Sequence, residues 1–315
     1  MKQLSLAVVI PAYKVKDHVL DVIDAIGAEV KRIYVVDDAC PEGSGALVLS
    51  KCKDQRVKVL THELNQGVGG AVITGYFAAL NEDIDVVVKL DGDGQMDPSL
   101  ISALVEPILR GKADYTKGNR FDSLTGLREM PGIRVFGNGV LSLMAKVASG
   151  YWNITDPTNG FTAIHKNVLK TLPLEMVSRR FFFESDLLFR LSLSRAVVWD
   201  VPMVAKYGSE TSNLKIGKTL IEFPIKHFVN FHKRLFYNYY LRDMSVASLE
   251  LPLGLAMGWF GLIFGAISWR DSLITGEAAT AGTVMLSAVP LILGVQLVLG
   301  FLSADIAGVP NRVRQ

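Results

Sequence analysis

A chain of 315 residues is long enough for a catalytic domain of ordinary size plus a smaller second part. Its formal net charge of +2 gives no electrostatic case for a nucleic-acid partner, and Cys40 and Cys52 lack the spacing of metal ligands. Half of the residues are hydrophobic, and the mean hydropathy of +0.30 is high for a wholly soluble protein.

Roughly the first 120 residues alternate strand and helix patterns. Leu6 to Ile10 is a short apolar strand that Pro11 is expected to stop, and a polar-faced helix follows to about Gly27. Arg32 to Val36 forms the next strand and ends at Asp37-Asp38. A helix through Lys51 leads to a third strand, Val57 to Leu60. Gly67 to Leu80 reads as a helix opened by glycines, and Asp85 to Leu90 is the fourth strand. This rhythm predicts an α/β fold with a mostly parallel, Rossmann-like sheet covered by helices. Ligands of such sheets sit beyond the carboxyl ends of the strands, where Pro11-Ala12-Tyr13, Asp37-Asp38, Asn65-Gln66-Gly67 and Asp91-Gly92-Asp93 all fall.

The fourth strand carries the sharpest chemistry. Val86-Val87-Val88-Lys89-Leu90 is a buried-strand pattern that ends in Asp91-Gly92-Asp93-Gly94-Gln95. Alternation sends Asp91 and Asp93 to one side, where two carboxylates and the Gln95 amide oxygen suit Mg²⁺ or Mn²⁺. An acidic turn closing a core strand is the plainer alternative.

After about Lys215 the pattern changes. Leu220, Phe223, Ile225, Phe228, Phe231, Leu235 and Phe236 interleave with Lys226, His227, His232, Lys233 and Arg234. Pro224 is expected to split this segment or to mark a first helical turn. Basic and aromatic residues at helical spacing predict amphipathic helices on an anionic leaflet over 216–248. Leu251 to Trp269 and Ala278 to Ala304 contain no charged residue, and each can cross a hydrocarbon layer of about 30 Å. Two membrane spans are therefore expected over 249–315, after a catalytic domain over 1–215. Basic residues flank the spans (Lys226, Lys233, Arg234 and Arg242 before, Arg312 and Arg314 after), whereas the loop Arg270 to Glu277 is not basic on balance. The positive-inside rule predicts an inner-membrane protein with its catalytic domain and both termini cytoplasmic.

Several motifs in this order and spacing resemble one family. They are Val9-Ile10-Pro11-Ala12-Tyr13, Val35-Val36-Asp37-Asp38, Asn65-Gln66-Gly67-Val68-Gly69-Gly70-Ala71, Leu90-Asp91-Gly92-Asp93-Gly94-Gln95, Lys117-Gly118-Asn119-Arg120-Phe121, Asp156-Pro157-Thr158-Asn159-Gly160-Phe161 and Phe183-Glu184-Ser185-Asp186. Together they resemble the family 2 glycosyltransferases of GT-A fold, in particular the polyprenyl-phosphate branch, over roughly residues 5–215. The resemblance implies inverting transfer of a hexose-type sugar from a nucleotide-diphosphate donor, with a UDP-sugar favoured, to undecaprenyl or another polyprenyl phosphate. It also implies a homo-oligomer, a tetramer in related proteins.

By the same resemblance Pro11, Tyr13, Asp38, Asn65, Gly67, Asp91, Gly92 and Lys206 contact the donor, and Asp91, Asp93 and Gln95 hold the divalent cation. Arg120 and Arg134 clamp the acceptor phosphate, with Asn138 beside them. Glu184 and Asp186 remain alternatives: either serves as a base for a hydroxyl acceptor or orients the sugar, and either is also a plain helix-start acid. Transfer to a lipid or glycan hydroxyl, or a non-catalytic scaffold that binds nucleotide sugar, are the competing functions.

Overall fold

The computed structural model describes residues 4–121, 132–203 and 216–314, with side chains in the two helices that open after the gaps described from Phe136 and from Ile221. Seven strands are present among the described residues: β1 (Leu6–Ala12), β2 (Val30–Asp37), β3 (Val57–Thr61), β4 (Val86–Lys89), β5 (Tyr115–Asn119), β6 (Thr162–His165) and β7 (Val198–Pro202). They form one sheet in the order β3-β2-β1-β4-β6-β5-β7. Strands β1 to β4 pair in parallel, and β6 alone runs against its neighbours β4 and β5.

The four N-terminal strands lie where the apolar runs predict them. The central strands β1 and β4 are buried on both faces, as the unbroken Ala7 to Ile10 and Val86 to Val88 runs require, whereas β3 at the sheet edge alternates half-buried and exposed residues. The expected stop at Pro11 is corrected: β1 continues to Ala12, in register with Asp37, because proline keeps its acceptor and lacks only the donor. Helices α1 (Val19–Asp24), α2 (Ser44–Lys51), α3 (Val68–Asn81) and α4 (Ile101–Leu109) make the crossovers. Helix α3 packs on β1, and a methyl at Gly75 would strike the Val9 side chain.

Beyond β5 come α5 (Gly132–Ser149), α6 (Lys166–Thr171) and α7 (Phe183–Leu193). Helix α8 (Ile216–Phe236) runs through Pro224 as one element, so the expected break there does not occur. The described residues divide into two compact units, 4–231 with 310–314, and 232–309.

Helix α8 turns an apolar row outward. Phe223, His227 and Asn230 are buried, whereas Ile221, Ile225, Phe228 and Val229 are exposed. The His227 imidazole meets the Phe182 ring edge-on at 4.9 Å, and burial alone pushes its pKa down to about 4.

The second unit contains a π-helical turn, Tyr237–Arg242, followed by α9 (Val246–Thr275) and α10 (Ala281–Ala307). Both helices are long and apolar enough to cross a membrane. They approach closely where side chains are absent: a methyl at Gly254 would lie 2.9 Å from the Gly294 carbonyl oxygen, and one at Gly261 2.6 Å from that of Ser287. Near the end of α10 Asp305 is buried in a forked pair with Arg234 (2.6 and 3.0 Å) and accepts the Tyr239 hydroxyl at 2.7 Å.

Candidate active site

Because β1, β2, β3, β4 and β5 point the same way, Tyr13, Asp38, His62, Asp91 and Arg120 all follow strand ends on one edge of the sheet. The antiparallel β6 begins at that edge, with Thr162 in register with both Lys89 of β4 and Lys117 of β5. The loop before it, Asp156 to Phe161, therefore lies between the ends of β4 and β5.

The loops after β2 and β3 are organised by two aspartates. Asp37 accepts the backbone N–H groups of Cys40 and Gly45, each at 2.7 Å. Asp38 is almost wholly buried and accepts from the N–H groups of Gln66 (2.8 Å) and Gly67 (2.7 Å). Its Oδ1 also meets His62 Nδ1 at 2.7 Å, and His62 Nε2 meets Thr74 Oγ1 at 2.8 Å. Asp38 thus holds the Asn65-Gln66-Gly67 turn in place, and Asn65 closes it by donating to the Asp38 carbonyl at 3.1 Å. Gly67 has φ of +86°, and a Cβ there would sit 2.6 Å from the Arg179 carbonyl oxygen. Glycine is needed on both counts. Pro11 is half-buried at the end of β1, and Tyr13 is exposed beyond it. Gly92 is buried where a methyl would come within 3.1 Å of Ile10.

At the end of β4 stands Lys89, which sequence reasoning missed. It is 1% exposed, and its Nζ pairs with Asp91 Oδ1 at 2.9 Å and Glu184 Oε1 at 3.1 Å. Burial alone would lower its pKa, but the fields of Asp91 and Glu184 outweigh this and hold it above the ordinary lysine value. A lysine that interrupts a β-branched run just before two acids was the available signal. Asp93 is half-buried and accepts the Gln95 N–H at 3.0 Å, while Gln95 itself is exposed.

Helix α7 separates the two acids of its first turn. Residues two apart on a helix lie about 200° apart around its axis. Glu184 accordingly faces Lys89, and Asp186 faces away. Asp186 is buried and accepts from the Ser178 N–H (2.8 Å), Arg190 Nε (3.2 Å) and Asn230 Nδ2 (3.1 Å). The structure brings Glu184 to Asp91 and leaves Asp186 to the packing of α7.

On the β5 side Arg120 is held by Asp156, whose side chain is fully buried. Nε and Nη2 fork its two oxygens at 2.7 and 3.0 Å. Lys117, also fully buried, donates to the Asn159 carbonyl, and burial pushes its pKa down to about 8 despite Asp156, Glu184 and Asp200 nearby. Asp200 on β7 is pushed up to about 6 by its own burial, which outweighs the Thr155 N–H and Lys117. Arg134 and Asn138 lie on α5; Asn138 is half-buried, the Arg134 side chain lies outside the described residues, and so does Lys206 altogether.

Gly160 joins the two sides. A methyl built on it would strike Lys89 Nζ and lie 2.9 Å from Asp91 Oδ2. An ammonium held by two carboxylates cannot swing aside as a surface lysine would. Gly160→Ala should therefore cost about 1–3 kcal/mol of stability and lower turnover. A thermal midpoint equal to that of the parent would show that the ammonium relocates freely.

Among the described residues no group of three or more His, Cys, Asp or Glu side chains converges as a closed metal cage. Asp91, Asp93 and Gln95 bring two carboxylates and one amide oxygen into five successive residues, a donor chemistry that would suit a hard divalent cation.

The fold is that of GT-A transferases. Glucosyl-3-phosphoglycerate synthase from Mycobacterium tuberculosis, in complex with phosphoglyceric acid, superposes with a TM-score of 0.56 at 19% identity, over 73% of this chain and 80% of that one. The same enzyme with Mn²⁺, UDP and phosphoglyceric acid gives 0.55 at 18% identity. The chain belongs to the glycosyl transferase family 2, whose model matches residues 7–172, and it is a glycosyltransferase. Among its relatives, a UDP-N-acetylglucosamine–dolichyl-phosphate N-acetylglucosaminyltransferase of Methanococcus voltae is 27% identical over 69% of this chain and 91% of that protein. An undecaprenyl-phosphate mannosyltransferase of Micrococcus luteus is 30% identical over 54% of this chain and 70% of that protein.

Proposed function

We propose that this protein transfers a hexose-type sugar, with inversion, from a nucleotide-diphosphate donor to undecaprenyl or another polyprenyl phosphate at the cytoplasmic face of the membrane. A UDP-sugar is the favoured donor. One observation carries the choice of acceptor: neither acid of α7 is placed to take a proton. Glu184 is paired with the buried Lys89, and Asp186 accepts from three donors. A hydroxyl acceptor needs a base within reach of its proton. A phosphate monoester is already anionic at neutral pH and needs positioning instead.

The roles follow. Tyr13 and the turn held by Asp38 receive the nucleotide, with Pro11, Asn65, Gly67, Gly92 and Lys206 around it. Asp91, Asp93 and Gln95 hold a divalent cation, Mg²⁺ or Mn²⁺, which neutralises the charge that develops on the departing diphosphate. Arg120, preset by Asp156, and Arg134 hold the acceptor phosphate, with Asn138 beside them. Helix α8 lies on the leaflet through its exposed apolar row, and α9 and α10 anchor the chain.

Purified full-length protein, given labelled UDP- or GDP-sugars, undecaprenyl phosphate and Mg²⁺ or Mn²⁺, should yield a chloroform-soluble product. Arg134→Ala should abolish that product; a variant with undiminished transfer would remove Arg134 from the acceptor site. Label that stays wholly in water with every donor would overturn the proposal.

A further inference from the structure

His62 is the first residue beyond β3, and its backbone N–H still donates to the Asp37 carbonyl at 2.9 Å. Its side chain is 7% exposed, and both ring nitrogens are engaged. Nδ1 meets Asp38 at the end of β2, and Nε2 meets Thr74 inside α3. A carboxylate only accepts, so Nδ1 carries the hydrogen of the bond to Asp38. One imidazole thus ties together β2, β3 and α3, the three elements that border the Asn65-Gln66-Gly67 turn.

The Asp38 side chain is 3% exposed and is committed to the protein. Oδ1 is shared between His62 and the Gln66 N–H, and Oδ2 takes the Gly67 N–H. Without the imidazole donor a buried anion is left short of a partner, which costs more than an average hydrogen bond returns. The carboxylate can recover that loss only by moving towards water, and the N–H groups of Gln66 and Gly67 move with it. Nothing apolar resists this, because Glu63, Leu64 and Asn65 are all exposed. A loosened turn must then be ordered by whatever binds it, and that ordering is subtracted from affinity.

Resting on the donor site proposed above, we infer that His62 is a positioning residue for the sugar donor. It sets nucleotide affinity without touching the nucleotide, by fixing Asp38, which in turn fixes the turn.

Two conservative replacements separate the two bonds of the ring. Asparagine places its amide nitrogen where Nδ1 stands, so His62→Asn keeps a donor for Asp38 and loses Thr74. Glutamine places its amide nitrogen where Nε2 stands, so His62→Gln keeps Thr74 and loses Asp38. Full-length protein with Mn²⁺ is titrated calorimetrically with UDP and with GDP, and the KM for undecaprenyl phosphate is measured beside it. His62→Gln should weaken the nucleotide that the parent binds more tightly by about tenfold, the scale of one hydrogen bond to a charged group. The KM for undecaprenyl phosphate should not move. His62→Asn should bind that nucleotide within about threefold of the parent. Equal weakening in both variants, or in neither, would overturn the inference and leave the donor site standing. A His62→Gln chain that does not fold would also overturn it, because the bond then serves the fold and not the donor. A parent that binds neither UDP nor GDP would instead overturn the donor site itself, and the role of His62 with it.

Discussion

Asp93→Asn should lower sugar transfer by about 10²–10³-fold, the scale of losing one preorganised electrostatic contact in a transition state. The substitution is chosen because it separates chemistry from folding. Asp93 is half-buried and accepts the Gln95 N–H, a bond that an asparagine oxygen also accepts. Asp91 would be a poorer probe, since it also neutralises the buried Lys89. The thermal midpoint of Asp93→Asn should stay within about 1 °C of the parent, given that surface changes usually fall within ±0.5 kcal/mol. Calorimetric titration with Mn²⁺ and UDP should show weakened binding that depends on both. Retained transfer with unchanged Mn²⁺ binding would remove Asp93 from the cation site.

Lys89→Met should instead act on both folding and activity. The side chain keeps its length and loses its charge, which leaves Glu184 and Asp91 without the cation between them. Breaking one member of a buried pair typically costs about 3–5 kcal/mol. Removing the second charge as well, in Lys89→Met/Glu184→Gln, should recover most of that stability, because no uncompensated charge then remains on Glu184. Transfer should not recover, since Asp91 has still lost the group that orients it. Denaturant midpoints for the single and double variants, set beside turnover, decide the matter. If Lys89→Met unfolds at the same midpoint as the parent, the pairing contributes nothing to the fold.

These two residues also mark where the sequence was and was not legible. Strands β1, β2 and β4 announced themselves because strands buried on both faces are nearly continuous apolar runs, β3 through its short β-branched segment, and Asp91 and Asp93 stood out where such a run ends. Strands β5, β6 and β7 did not, since Tyr115-Thr116-Lys117-Gly118-Asn119 buries polar residues that only tertiary partners explain. The reversal at β6 is invisible locally, yet it sets Gly160 against Lys89. Glu184 and Asp186 stayed ambiguous for a geometric reason: spacing shows that they diverge, but not which one faces the sheet. The mixture of aromatic and basic residues in α8 was plain, whereas the outward direction of its apolar row needed Phe182 and the buried His227 to be located.

Asp186 has one further consequence. It anchors the Ser178 N–H, and the neighbouring Arg179 carbonyl accepts the N–H of Gly70 at the start of α3, at 3.0 Å. The turn proposed above to receive the nucleotide is therefore braced from behind by the Asp186 carboxylate, which is engaged by three protein donors. Damage to that distant strut would surface as poor affinity for the sugar donor, and a kinetic survey would wrongly place Asp186 among the groups that handle the nucleotide.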